Sequence, residues 1–382
     1  MTPKGFSCLG KHIGIKSENK DFALIVSDVE ANEAAVFTRS TFCGAPVILG
    51  RELIKNGRAQ AFFITSGVSN VATGKEGMAN ARKEMEAVGR ELGIDPDNVL
   101  PNATGVIGVQ LPMDKILDAI TGCKEDLGAN NWESTAEAIM TTDTRAKLIR
   151  GKVGDAVLIG MAKGAGMIEP NMATMLSFWV TDADIPSEVL QSMLKRGVDK
   201  SFNLLSIDTD TSTSDTVAIL ANGQAGPVDF DLFEEVFVGA AIELSKQIAE
   251  DGEGATKLIE VIVSGAVDDK QARTMAKSIV NSPLVKTAVY GADANWGRVA
   301  MALGKTFDER LDPDKLKISF GKYTVYEDGA PTGISEDPVE DYMKKAKEVV
   351  ISVDLRLGLS EATVWGCDLS EDYIKINALY RT

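Results

Sequence analysis

Histidine is almost absent: among 382 residues there is one, His12. A chain with a single histidine near its N-terminus has few ways to build a Ser-His-Asp triad or a multi-histidine metal site, so a hydrolase or transferase made from it draws its base from elsewhere. Cysteine is also sparse. Cys8, Cys43, Cys123 and Cys367 are scattered with no CxxC pair, which signals neither a zinc site nor a disulfide scaffold and leaves free buried thiols as the expectation. No apolar run approaches the ~18 to 20 residues a membrane span requires, and the opening MTPKGFSCLGKHIGIK lacks the apolar stretch of a signal peptide. A cytoplasmic protein with no membrane partner is expected. Positive charge is short as well, 40 basic against 56 acidic side chains for a net −16. That balance repels phosphate backbones and argues against nucleic acid as a partner.

What is present is an enzyme-sized globular composition, 44% hydrophobic and 25% charged, long enough for two domains or one large layered domain. Short β-branched or aromatic runs at 22–27, 34–37, 46–49 and 61–65 read as strands. Between 77 and 92, Met78, Ala81, Met85, Val88 and Leu92 recur at helical spacing, with Gly93 as a C-terminal stop. Further helices are expected at 112–120, 135–140, 186–196, 231–250, 270–280 and 338–348. Strands are expected at 156–160, 176–181, 216–221, 259–264, 349–355 and 362–365, with Asn222-Gly223 marking a turn. Alternation in 373–377 reads as one more strand. The interleaving predicts an α/β or α+β layered fold, and composition marks no domain boundary.

Three familiar motifs fail on inspection. Gly304-Lys305-Thr306 ends like a P-loop, but Val299 stands where its first glycine belongs. Lys163-Gly164-Ala165-Gly166 lacks the third glycine of a dinucleotide fingerprint. Asp208, Asp210 and Ser212 begin like a calcium loop, yet Thr213 replaces the required glycine and the closing glutamate is missing.

The chemically specific stretch is KGAGMIEPNMATML at 163–176, where a glycine-rich entry and a Glu-Pro-Asn turn bring Thr174 to the head of a strand. Such a threonine becomes a nucleophile if the peptide bond before it is cut. The freed α-amine titrates near ~7.7 to 8 and lies within reach of its own hydroxyl, so one residue supplies nucleophile and base. An ordinary strand-leading threonine is the competing reading of the pattern alone.

This segment, with NATGVIG at 102–108, AIMTTDT at 138–144, DTDTSTSDT at 208–216, DGEGATKLIEV at 251–261, NSPLVKTAVYGADANWGR at 281–298 and the ending YIKINALYRT, resembles the ornithine acetyltransferase (glutamate N-acetyltransferase) family. The resemblance implies a fold of the N-terminal-nucleophile acetyltransferase type. It also implies a precursor that cuts itself between Ala173 and Thr174 into chains 1–173 and 174–382, which pair and assemble into a higher oligomer. It makes Thr174 the nucleophile and Thr104 and Gly105 the oxyanion pair, and it places Lys163, Glu253, Asn377 and Thr382 against substrate. A threonine of Met140-Thr-Thr-Asp-Thr joins them, either Thr141 or Thr142. The implied reaction moves acetyl from N-acetylornithine to glutamate through an acetyl-threonine ester in arginine biosynthesis, without metal or organic cofactor; bifunctional members also accept acetyl-coenzyme A. Two departures stand out. Thr209 occupies a position where the family more often has glycine, and Ser66-Gly67-Val68-Ser69-Asn70 replaces an asparagine-rich turn. The SIDTDTSTSD spelling is similar to a secondary-metabolism subgroup, which leaves a different acceptor as one alternative. A related self-cleaved amidohydrolase or aminopeptidase and an uncleaved binding protein are the others.

Overall fold

The structure is a computed structural model that describes residues 1–169 and 175–379. Two compact units divide the chain: Met1–Asn203 with Thr211–Leu244, and Leu204–Asp210 with 245–379. The layered α/β class expected from the interleaved elements is what is found. Among the described residues no helix is long and apolar enough to cross a membrane.

The first unit runs β1 (Phe6–Lys11), β2 (Phe22–Phe37), α1 (Ala45–Leu53), β3 (Arg58–Val68), α2 (Gly74–Leu92), β4 (Val99–Val106), α3 (Met113–Ile120), α4 (Trp132–Ala138), β5 (Lys147–Val153), β6 (Ala156–Lys163), β7 (Leu176–Asp184), α5 (Ser187–Lys200), β8 (Thr216–Pro227) and the start of α6 (Phe230–Glu250). Its strands form one sheet in the order β4-β3-β2-β8-β7-β6-β5, with β1 on β2. In that order β3 and β7 are three strand spacings apart, about 14 Å in a flat sheet. The rings of Phe62 on β3 and Phe178 on β7 nevertheless lie 5.3 Å apart, so the sheet curves back on itself. The register of β2 on β3 is interrupted between Val26 and Ala31, the kind of irregularity that bends a strand. Trp132, Ala136 and Ala138 of α4 fill the concave side. The α2 stripe Ala81, Met85, Val88 and Leu92 packs with Leu49 of α1 and Ile116 and Ile120 of α3 on another face, and Phe237 of α6 stands edge-on to Trp179 of β7.

The second unit contains β9 (Leu258–Ala266), α7 (Asp269–Val280), α8 (Pro283–Tyr290), α9 (Trp296–Gly304), β10 (Lys317–Phe320), β11 (Tyr323–Glu327), β12 (Ala330–Pro331), α10 (Glu336–Lys345), β13 (Glu348–Asp354), β14 (Ser360–Cys367) and α11 (Glu371–Leu379). Its sheet is ordered β12-β11-β10-β13-β9-β14, parallel only between β13 and β9. The amphipathic α7 lays Ala272, Met275, Ala276 and Ile279 on it.

Several sequence expectations are corrected. Residues 46–49 lie in α1, because Pro46 at the first helical turn suits a helix start and four apolar residues alone do not distinguish strand from helix. The runs at 22–27 and 34–37 belong to one strand. Asn222-Gly223 makes no hairpin: β8 continues through it, Gly223 takes φ +76°, and the pairing with β7 shifts register between Thr181 and Ala183. The helix expected at 338–348 ends at Lys345. Residues 373–377 are helical rather than a strand. Ser370 accepts from the amide of Asp372, and Glu371 and Asp372 place negative charge in the first turn of α11, where a helix favours it. The thiols are free as expected, Cys8, Cys123 and Cys367 buried and Cys43 partly exposed.

Two carboxyls of the first unit sit in apolar surroundings. Glu33 points to the face of β2 that carries Ala31 and Ala35, and Glu84 lies on the buried stripe of α2; among the described residues the Oε1 of each lacks a hydrogen-bond partner. Burial pushes both up to about 8. With the folded value above the unfolded one, the native state holds the extra proton. Stability is therefore full below about 4.5 and declines as pH rises to about 8, by on the order of 4 kcal/mol for each group. Urea unfolding at pH 5 and pH 8.5 should show Glu33→Gln losing markedly less stability across that interval than the parent. An equal loss would mean that Glu33 does not titrate on unfolding.

Candidate functional site

The hydrogen-bond register of the first sheet aligns Lys163 with Leu176, Leu176 with Thr216, and Thr216 with Phe37. One step further along the same ends come Gly164, Met175, Asp215 and Thr38. Ala173 and Thr174, the expected cleavage pair, lie outside the described residues, as does Thr382. The segment 211–216 holds the chain on both sides of that stretch. Thr211 bridges Ile168 and its hydroxyl donates to the Glu169 carbonyl at 3.0 Å, while the Thr216 amide donates to the Met175 carbonyl at 3.1 Å. Met167, just upstream, adopts φ +56°, a left-handed conformation uncommon outside glycine.

Lys163 ends β6 beside a buried charged centre. The Asp143 carboxylate accepts from Lys147 Nζ at 2.6 Å, from the Gly164 amide at 2.6 Å and from the Thr141 amide at 3.0 Å. Both side chains of the Asp143–Lys147 pair are fully buried. Burial alone would raise the Asp143 carboxyl, but Lys147, Lys163 and the hydrogen bonds outweigh it and hold the group below its ordinary value. Asp143 thus fixes the backbone next to two of the expected site positions, Thr141 and Lys163.

Thr104 and Gly105 end β4, paired with Ser66 and Gly67 of β3. Gly105 takes φ +128°, and a Cβ there would stand 2.3 Å from the carbonyl carbon of Gly67. Glycine is required at this close approach. A Cβ on Gly67 would in turn meet the Lys16 stem at 3.0 Å, and Lys16 Nζ donates to the Met140 carbonyl at 2.8 Å. Lys16 thus holds Met140, and Asp143 holds the next residue, Thr141, together with Gly164. Burial, with the charge of Lys163, pulls Lys16 down to about 8 against the attraction of Asp21 and Asp143. Lys16, Asp143 and Asp215 were not picked out from the sequence. Asp143 and Asp215 sit inside recognised blocks, but nothing in an acidic residue among hydroxyls marks it as buried. His12 is elsewhere: its Nδ1 lies 2.7 Å from the Asn19 carbonyl, in the loop held by Asp21.

In the second unit, Glu253 and Asn377 meet directly, Asn377 Nδ2 donating to Glu253 Oε2 at 2.7 Å. Gly254, at φ +70°, lets its loop approach the start of α11; a Cβ there would be 2.4 Å from the Tyr373 nitrogen. Asn377 is thus carried by a helix, not by the strand expected. Thr209 stands at φ +70°, a conformation in which a β-branched residue is strained and glycine is not.

With the geometry established, the comparisons are specific. The model described as the ArgJ family matches residues 7–382. The chain is 50% identical to arginine biosynthesis bifunctional protein ArgJ 2 of Clostridium acetobutylicum over 100% of this chain and 98% of that one. It is 46% identical to glutamate N-acetyltransferase Oat2 of Streptomyces clavuligerus with the same coverage. A crystal structure of arginine biosynthesis bifunctional protein ArgJ from Bacillus halodurans is 44% identical, with a TM-score of 0.50, and covers 52% of this chain and 96% of its own. This layered α/β chain belongs to the ArgJ family.

The Asp143–Lys147 pair yields a direct test. Removing one partner leaves a buried charge unmatched, so Asp143→Asn and Lys147→Met should each cost roughly 3 to 5 kcal/mol. The double variant should cost clearly less than their sum. Denaturant midpoints of the four proteins measure this, and strict additivity would show that the two groups do not interact.

Proposed function

We propose that this chain is a self-cleaving acetyltransferase of arginine biosynthesis that moves acetyl from N-acetylornithine to glutamate through an ester on Thr174. The observation that carries the reading is the 46% identity, over the whole chain, to a protein named glutamate N-acetyltransferase. Cleavage into 1–173 and 174–382 gains support from the solved Bacillus halodurans chain, which is about half as long as this one. The bifunctional name of the Clostridium relative supports acetyl-coenzyme A as a second donor. Cytoplasmic location and further assembly of the paired chains complete the proposal.

In this mechanism Thr174 Oγ attacks the N-acetyl carbonyl while the Thr174 α-amine takes its proton. Thr104 offers a hydroxyl and Gly105 a backbone N–H to the oxyanion, donors worth about 3 to 4 kcal/mol each in such sites. Ornithine leaves carrying the proton, and the glutamate amine then attacks the acetyl ester and frees Thr174. Lys163, a threonine of the 141–142 pair, Glu253, Asn377 and Thr382 are assigned to the charged and polar groups of the amino acid, whose carboxylate and amine need this complement.

Intact mass is the decisive experiment. The parent should give fragments of 1–173 and 174–382, and Thr174→Ala should remain one folded, inactive chain. Two fragments from Thr174→Ala would refute the nucleophile. A parent that cleaves and releases ornithine equally with or without glutamate would instead make the protein an amidohydrolase.

The base assignment is tested by pH. The acidic limb of kcat/KM should have its midpoint at or below about 7.7 to 8, the range of a free α-amine, and should persist in His12→Ala. Because Lys16 titrates in the same range, Lys16→Met is the second control. Loss of the limb in either variant would take the base role from the amine.

A further inference from the structure

Asp215 is not among the residues assigned to the nucleophile, the oxyanion or the substrate, yet its placement is unusual. It is 2% exposed, and among the described residues its Oδ2 has no hydrogen-bond partner. An orphaned buried carboxyl oxygen is costly and calls for an explanation. Its backbone is held beside the described residue that follows 170–174: the Asp215 carbonyl accepts from the Thr38 amide at 2.9 Å, and the next residue holds the Met175 carbonyl. Four residues upstream, Thr211 holds Ile168 and Glu169. The described residues on both sides of 170–174 are therefore bonded to the segment that carries Asp215.

We propose that Asp215 donates the proton to the Thr174 nitrogen when the bond after Ala173 breaks, and then serves as the hydrogen-bond acceptor that holds the new amine. The inference rests on self-cleavage at Thr174. Thr174 Oγ–H adds to the Ala173 carbonyl and a C–O bond forms. The C–N bond breaks as the Asp215 carboxylic acid gives its proton to the departing nitrogen, and the hydroxyl proton passes to the Asp215 carboxylate. Water then hydrolyses the ester, leaving the Ala173 carboxylate and the free hydroxyl and amine of Thr174. The orphaned Oδ2 belongs to the precursor, in which the amine does not yet exist, and it gains its partner through the reaction.

The surroundings suit a carboxyl kept as the acid. Burial raises it well above the ordinary carboxylate range, against hydrogen bonds from Ser212 and Thr38 and the charge of Lys163 at the end of β6. Arg51 on α1 donates to the Thr38 carbonyl. Since the protonated form is the donor, cleavage should slow as pH rises through the Asp215 titration.

The test is a time course of intact mass on freshly synthesised full-length chain, across pH, for the parent, Asp215→Asn and Asp215→Ala. Asp215→Asn should slow cleavage by about a hundredfold, the usual scale of a general acid, and remove the decline at high pH. In Asp215→Ala, added formate should restore part of the rate. Parent-like rate and pH dependence in folded Asp215→Asn would overturn the proposal while leaving the Thr174 reading intact. If Asp215→Asn does not fold, the formate experiment decides: restored cleavage supports the donor role and no restoration overturns it. An uncleaved parent would remove the Thr174 reading and this inference together.

Discussion

A single buried carboxylate organises the first unit's site. Asp143 spends its lone pairs on one ammonium and two backbone amides, and through those amides it sets the backbone beside Thr141 and Lys163. Such a group is expensive to bury, and it repays the cost only if every partner is in place. The consequence is a site whose parts stand or fall together. The loop after α4, the end of β6 and the start of β5, where Lys147 lies, cannot move independently without exposing or orphaning a charge.

The other buried acids of this unit follow a different logic. Among the described residues no cation holds Glu33 or Glu84 ionised, and burial favours both as neutral acids. Asp215 lies between these cases, close enough to Lys163 to feel its charge and, among the described residues, without a partner for one oxygen. In a layered fold built on small residues such as Ala31, Ala35 and Ala59, a carboxyl can be enclosed without a large cavity. Enclosure then decides its protonation more strongly than any single neighbour does.

Much of the architecture was legible because long amphipathic segments carry their own evidence. The stripe of α2 and its Gly93 stop announce the helix, and Gly93 indeed takes φ +75°. The failures came where several local signals compete over a few residues. In 46–49 a proline at the helix start outweighed β-branched character, and in 373–377 a polar first turn outweighed alternation. The curvature of the first sheet could not be read, since it depends on which strands pair, and no local pattern reports that. The division into two units was hidden for a similar reason: it falls inside the uniform helix α6. Motif blocks supplied Thr104, Gly105 and Lys163 as candidates in the first unit and Glu253 and Asn377 in the second. The pairing of Glu253 with Asn377 and the central place of Asp143 emerged only from the fold.

The strand order has a consequence for the protein after cleavage. Strands β7 and β8, which follow the proposed cut, lie between β2 and β6, which precede it. The cut would therefore leave two chains woven through one sheet, with two lines of backbone hydrogen bonds joining them. Neither piece could depart without dismantling the core around Phe62 and Phe178. Fragments from different molecules would not exchange while folded, and chains made separately would have to fold together to regain the native sheet. Covalent continuity is then needed for assembly but not for endurance, and the precursor acts as its own template for a permanent pair.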